Sequence, residues 1–232
     1  MKVKILQLTE GARLATGTTV IIDVFRAFSL EAYMLAAGAK EIYPIGDCDL
    51  ARRLKSENPD LILAGERGGR ILPGFDTGNS PSELSKIDVL GKCVVHTTSA
   101  GTQGVANAMG ATEMLGAALV NARATAEYII KSGAEDVSLV CMGLEAKAPT
   151  EEDTLCAEYI RSLLMGENPD ISKEIEDLKR TSGAKFFDEK NKDVFPMDDF
   201  FMCTELNKFD FAIKIQRMEN GINISTKEQV HV

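Results

Sequence analysis

The sequence predicts an α/β protein in which helices cover both faces of a largely parallel, or mixed, sheet. Three observations carry that expectation. Short β-branched runs alternate with amphipathic helical stretches through the first two thirds of the chain, as β-α-β units require. The runs are followed by polar, glycine-bearing turns. With 232 residues, 44% of them hydrophobic and 26% charged, the chain can bury a substantial core, either as one domain over 1–232 or as two closely packed lobes.

The elements follow in order. KVKILQL opens with strand-like spacing. TVIID (residues 19–23) feeds AFSLEAYMLAAG (27–38), a strand into a helix. EIYPI and DLARRLKSE repeat the pattern, and LILAG (61–65) runs into a glycine-rich stretch. KCVVHT precedes TQGVANAMG, TEMLGA precedes ARATAEYIIKSG, and VSLVCMG precedes EEDTLCAEYIRSLLMG. Residues 166–232 are less distinctive. The charged segment 171–193 reads as surface helix and loop with little chemical signal, and FAIKIQRME (211–219) alternates like a late strand, placed at an edge.

Composition excludes several functions. A net charge of -9 opposes binding to nucleic acid or an anionic membrane, and no apolar run approaches the roughly 20 residues of a membrane span. Five scattered cysteines without a CxxC pair fit reduced thiols in a cytoplasmic protein. With only His96 and His231, a histidine-rich zinc or di-iron centre is not expected, so a metal would be a hard cation held by oxygen. A symmetric homo-oligomer is the default for such a protein.

Familiar phosphate motifs are missing. There is no GxxxxGK[ST]. Cys48 and Cys156 each meet an arginine one position too early for the thiol-phosphatase pattern, and IGDCDLAR departs from the aspartate-nucleophile pattern at Ala51.

Ligands of open α/β sheets sit beyond the carboxyl ends of the strands, and four loops there carry chemistry. DVFRAFS (23–29) offers Asp23 as a helix cap, a metal ligand or a nucleophile, beside the positive fork of Arg26. In HTTSAGT (96–102) the run of hydroxyls exceeds what one helix cap needs, whereas His96 by itself reads as a ring satisfying a backbone carbonyl. Glu152 and Asp153 read equally well as first-turn acids that suit the helix macrodipole and as completing a metal site. AGERGGRILPGFDTGNSPSEL interleaves Glu66, Arg67, Arg70 and Asp76 with five glycines, an entropically costly composition for a mere connector.

Four blocks, VIIDVFRAFS, AGERGGR with GFDTGNSPSEL, HTTSAGTQG and GLEAKAPTEEDTLCAEYI, occur in the order and form that resemble the 2-phosphosulfolactate phosphatase family. The family often reads TTNGT where this chain reads TTSAGT. The resemblance implies a Mg²⁺-dependent hydrolase that converts 2-phospho-3-sulfolactate, a small anionic phosphorylated substrate, to 3-sulfolactate and phosphate on a route to coenzyme M. It implies catalytic roles for Asp23, Arg26, Arg67 and Asp76, the last as alternative ligand or base. Arg26, Arg67, Gly68, Gly69, Arg70, Asn79, Ser80, Thr97, Thr98, Ser99, Gly101 and Thr102 are the expected substrate contacts, and Asp23, Glu66 and Asp153 the metal ligands. The competing expectation is a noncatalytic sensor of a small phosphorylated or sulfonated acid, which would have no use for carboxylates beside a phosphate unless a metal were present.

Overall fold

The computed structural model describes residues 1–230; His231 lies outside them. The strands are β1 (Lys2–Gln7), β2 (Gly17–Ile22), β3 (Glu41–Pro44), β4 (Ile62–Arg67), β5 (Arg70–Ile71), β6 (Cys93–Thr97), β7 (Ala111–Ala117), β8 (Asp136–Cys141), β9 (Phe211–Arg217) and β10 (Asn223–Gln229). The helices are α1 (Leu8–Leu14), α2 (Ala27–Ala36), α3 (Cys48–Glu57), α4 (Gly101–Asn107), α5 (Ala122–Ser132), α6 (Glu151–Leu164), α7 (Ser172–Asp177) and α8 (Met197–Thr204), with short 3₁₀ turns between. The alternation read from the sequence is present up to α6, with α1 and the short β5 added to it. IGDCDLAR opens α3, where Asp47 accepts the amides of Asp49 and Leu50, an ordinary N-cap.

All ten strands form one ladder, in the order β1-β8-β2-β7-β9-β10-β3-β6-β4-β5. β1, β8, β2 and β7 are mutually parallel, as are β3, β6 and β4. The β9–β10 hairpin joins the two blocks through antiparallel pairings. FAIKIQR is therefore central and not at an edge: Phe211, Ala212 and Ile213 are all buried, so both faces of this part of the strand are covered. Alternation reports which faces are apolar but not the neighbours a strand takes, and those here arrive from far along the chain.

The same pairings make the two parallel blocks run in opposite senses along the ladder. Adjacent strands rotate by about 20–25°, so the six steps from β2 to β4 turn them by roughly 130°. That rotation largely undoes the reversal, and the carboxyl ends of both blocks meet at one cleft. The amide of Gly101, just after β6, donates to Asp23, just after β2, at 2.8 Å. One buried apolar cluster spans both blocks, from Ile21 and Leu139 to Ile42, Ile62 and Val94. No helix among the described residues is long and apolar enough to cross a membrane.

Candidate active site

The loops after β2, β4, β6 and β8 enclose a cavity of about 130 Å³, whose walls include Asp23, Arg26, Glu66, Asn79, Ser99, Glu152 and Lys185. A larger groove of about 660 Å³, bounded by Tyr33, Leu84, Leu90 and Phe201, has Asp88 and Asp198 in its lining but no lysine or arginine.

The glycine-rich stretch has a definite shape. β4 turns into β5 through Gly68 and Gly69, both left-handed at φ 59° and 78°, with Arg67 paired to Arg70 across the turn. Two positive φ values are what a two-residue type I′ hairpin needs, hence RGGR. Glu66, on the last turn-facing segment of β4, accepts the Gly69 amide at 2.7 Å on one oxygen and the Ser99 amide at 2.7 Å on the other. It thereby clips the hairpin to the threonine loop.

Asp23 plays the same part between β2 and β6. Its oxygens accept Ala27 N and Gly101 N at 3.1 and 2.8 Å, so it caps α2 and faces the cavity at once. Gly101 permits this closeness, since a Cβ there would lie 2.8 Å from the Ala27 Cβ and 3.0 Å from Asp23 Oδ2. Burial pushes the Asp23 carboxyl up to about 6, the amides of Ala27 and Gly101 opposing, the charges of Glu66 and Glu152 adding to it.

The two acids at the start of α6 divide their roles. Asp153 bridges the β2 and β8 loops, accepting Val24 N and Gly143 N at 2.8 Å each. It does not line the cavity, and its carboxyl is pushed well up, first by burial and then by its acidic neighbours. Glu152 does line it. Its Oε2 is buried without a hydrogen-bond partner among the described residues, and burial raises its affinity for a proton, with the nearby Ser182 hydroxyl and then the charge of Lys185 opposing. The third carboxylate in the cavity is thus Glu152, one residue from the expected Asp153. A helix rotates by about 100° per residue, so two adjacent acids point apart, and spacing alone does not choose between them.

The remaining expected residues fall into separate groups. Arg26 reaches Asp199 of α8 at 2.6 Å and the Gly69 carbonyl at 3.3 Å. Arg67 turns back onto the carbonyls of Glu66 and Gly46 and onto Thr97, and Arg70 is exposed in a neighbouring recess; neither lines the cavity. Ser80 donates to Asp199 at 2.8 Å. Thr98 and Thr102 bond to one another across the start of α4, the helix-start role that hydroxyls commonly play. Asp76 is remote, pairing with Lys55 at 3.1 Å and accepting the Leu63 amide at 2.8 Å. His96 is fully buried, and its ring nitrogens meet side chains in place of the expected backbone carbonyl, Glu31 Oε1 at 2.9 Å and Asn79 Oδ1 at 3.1 Å.

Sequence reading missed Lys185 and Asp199. Both come from the segment after α6, where no motif marks them, and only the fold brings them against Arg26 and Glu152.

For a metal, the donor set is all oxygen. No group of three His, Cys, Asp or Glu side chains among the described residues is gathered tightly enough to cage an ion. Asp23, Glu66 and Glu152 nevertheless share the cavity, and one buried carboxylate oxygen is orphaned. This suits a hard divalent cation held by one or two carboxylates that keeps waters and takes ligand oxygens.

Comparison with known proteins bears on the same residues. The family described as 2-phosphosulpholactate phosphatase matches residues 4–217. A protein of Bacillus subtilis named probable 2-phosphosulfolactate phosphatase is 32% identical over 200 residues, 85% of this chain and 86% of that protein. One of Caldanaerobacter subterraneus with the same name is 33% identical over 218 residues, 88% of each chain. A third, of Caldicellulosiruptor saccharolyticus, is 40% identical over 156 residues, covering 66% of this chain and 64% of that protein. The family match runs through every loop that walls the cavity and on past the segment carrying Lys185 and Asp199, and the chain belongs to the 2-phosphosulpholactate phosphatase family.

Proposed function

We propose that the protein is a phosphatase that hydrolyses 2-phospho-3-sulfolactate to 3-sulfolactate and phosphate, with Mg²⁺ as its cofactor, a reaction of the type that leads toward coenzyme M. The observation that carries this reading is the meeting of three carboxylates, Asp23, Glu66 and Glu152, with two cations, Arg26 and Lys185, in one enclosed cavity. A site that only sensed a phosphorylated acid would gain nothing from carboxylates facing its phosphate. A site that passes charge to a cation and orients a water needs them.

Asp23 and Glu66 are held rigidly by two amides each and are the ligands we assign to the metal. When bound, Mg²⁺ would offset charge on the phosphoryl oxygens. Arg26, fixed by Asp199, presents its guanidinium to the same oxygens. Glu152 Oε2 has no hydrogen-bond partner among the described residues, and its raised proton affinity suits Glu152 to take a proton from the attacking water at neutral pH. The water's oxygen bonds to phosphorus, the phosphorus–oxygen ester bond breaks, and the leaving sulfolactate oxygen takes up the proton that Glu152 received from the water.

The test is phosphate release from 2-phospho-3-sulfolactate by the purified protein, with Mg²⁺ and with EDTA. Turnover is expected only with the metal, and Glu152→Gln should lower kcat by about 10²–10⁴, the range for a general base. Folded protein with no turnover across divalent metals and pH would overturn the reading. Accumulation of a phosphoprotein that Glu152→Gln still forms, but cannot discharge, would move the first attack to Asp23.

A further inference from the structure

We propose that Lys185 binds the sulfonate of the substrate and sets the preference for a sulfonated over an unsulfonated phosphoester, an inference that rests on the phosphatase reading above. Lys185 lines the cavity, but its ammonium makes no hydrogen bond or ion pair among the described residues, unlike Arg26, which is engaged by Asp199 and Gly69. Three phenyl rings surround it instead: Phe25, Phe186 and Phe195, with centroids 5.5, 5.5 and 5.4 Å from Nζ. Ring faces attract a cation and exclude water from one side, yet they accept none of its strong hydrogen bonds. A half-buried ammonium with no protein acceptor among the described residues has its donors free to receive an anion.

The character of the walls selects which anion. The phosphoryl group belongs with Asp23, Glu66 and a bound cation, leaving the carboxylate and the sulfonate of the substrate. A sulfonate spreads one charge over three oxygens and is more weakly hydrated than a carboxylate, so it loses less when pressed against Phe25 and Phe195. Its three oxygens also match a compact, rotatable ammonium with three donors, whereas a planar carboxylate is better met by the fork of an arginine. Lys185 sits on the segment after α6, outside the loops that hold Asp23 and Glu66, the two carboxylates assigned to the cation.

The experiment compares kcat/KM for 2-phospho-3-sulfolactate and 2-phospholactate, which differ only by the sulfonate, in the wild type, Lys185→Met and Lys185→Arg. The wild type should prefer the sulfonated ester. Lys185→Met should reduce that ratio at least tenfold, mainly through KM, and Lys185→Arg should restore part of it. An unchanged ratio in Lys185→Met, or an equal fall for both esters, overturns the proposal, the second result moving the lysine to the phosphoryl group or the carboxylate. If the wild type hydrolyses neither ester, the phosphatase reading fails separately, and calorimetry with 3-sulfolactate and lactate decides the role of Lys185. Weakening of at least tenfold for sulfolactate alone in Lys185→Met supports it, and equal affinity in the two proteins sinks it.

Discussion

Arg26 is 3% exposed and Asp199 fully buried, and the pair explains how a strand-end loop keeps its guanidinium aimed at the cavity. Asp199 Oδ2 takes Arg26 while Oδ1 takes the Ser80 hydroxyl and the Ser82 amide, at 2.8 and 2.9 Å. One carboxylate therefore fixes both the arginine and the SPSEL turn. Asp199→Ala leaves the guanidinium buried and unpaired, which should destabilise the protein by about 3–5 kcal/mol. Asp199→Asn keeps acceptor oxygen for Ser80 and Ser82, so it should fold more stably than the alanine variant while raising KM at least tenfold. Urea titration and steady-state kinetics on both variants check this; wild-type KM in Asp199→Asn would show that Arg26 needs no such anchor. Arg26 was legible in the sequence because it follows a strand within a polar turn. Asp199 was not, because its partner lies 173 positions away and MDDFF reads as an ordinary helix start.

The β4–β5 hairpin and the loop that follows it carry two acids with unlike duties. Glu66 faces the cavity, while Asp76, ten residues on, returns to the opposite side of the segment and fastens it to β4 through the Leu63 amide. The exposed pairing with Lys55 adds little to stability. Asp76→Ala leaves the Leu63 amide without that acceptor and should cost about 1–2 kcal/mol. Its effect on kcat should be far smaller than that of Glu152→Gln. Parallel denaturation and kinetic measurements on the two variants separate the roles, and a comparable kcat loss in Asp76→Ala would return Asp76 to the chemistry. The sequence marked RGGR as glycine-rich but not as a hairpin, although two successive left-handed glycines are what such a turn needs. The direction taken by Asp76 was not legible either, because it depends on how the loop folds back over β4. β9 was read as a strand from its apolar alternation, but its central place is set by pairing with β7 and β10, and β10, whose one apolar residue is Ile224, carries no such pattern.

At the scale of the molecule, the coiled sheet gathers acids from β2, β4 and α6 into one buried place, and stability against pH should record the strain. Asp23, Glu152 and Asp153 all have carboxyls raised by burial, and Asp23 and Asp153 also by the acids beside them, with Arg26 and Lys185 as the facing cations. A carboxyl raised from 3.8 to about 6, as at Asp23, binds more protons folded than unfolded within that window. Stability then falls as pH rises through it, and the cost is complete above about 6. For Asp23 alone a shift of that size corresponds to on the order of 3 kcal/mol, and the other two acids act with the same sign. The melting temperature in EDTA should therefore rise as pH is lowered from 7.5 to 5, the reverse of a protein whose carboxylates are mostly salt-bridged. Glu152→Gln should flatten the rise by removing one of the three acids. Mg²⁺ should raise the melting temperature more at pH 7.5 than at pH 5, because protons compete with the cation for the same oxygens. A melting temperature that falls between pH 7.5 and 5 in EDTA, or a Mg²⁺ increment that does not depend on pH, would mean that the cluster is not held against its own charge and does not bind the metal.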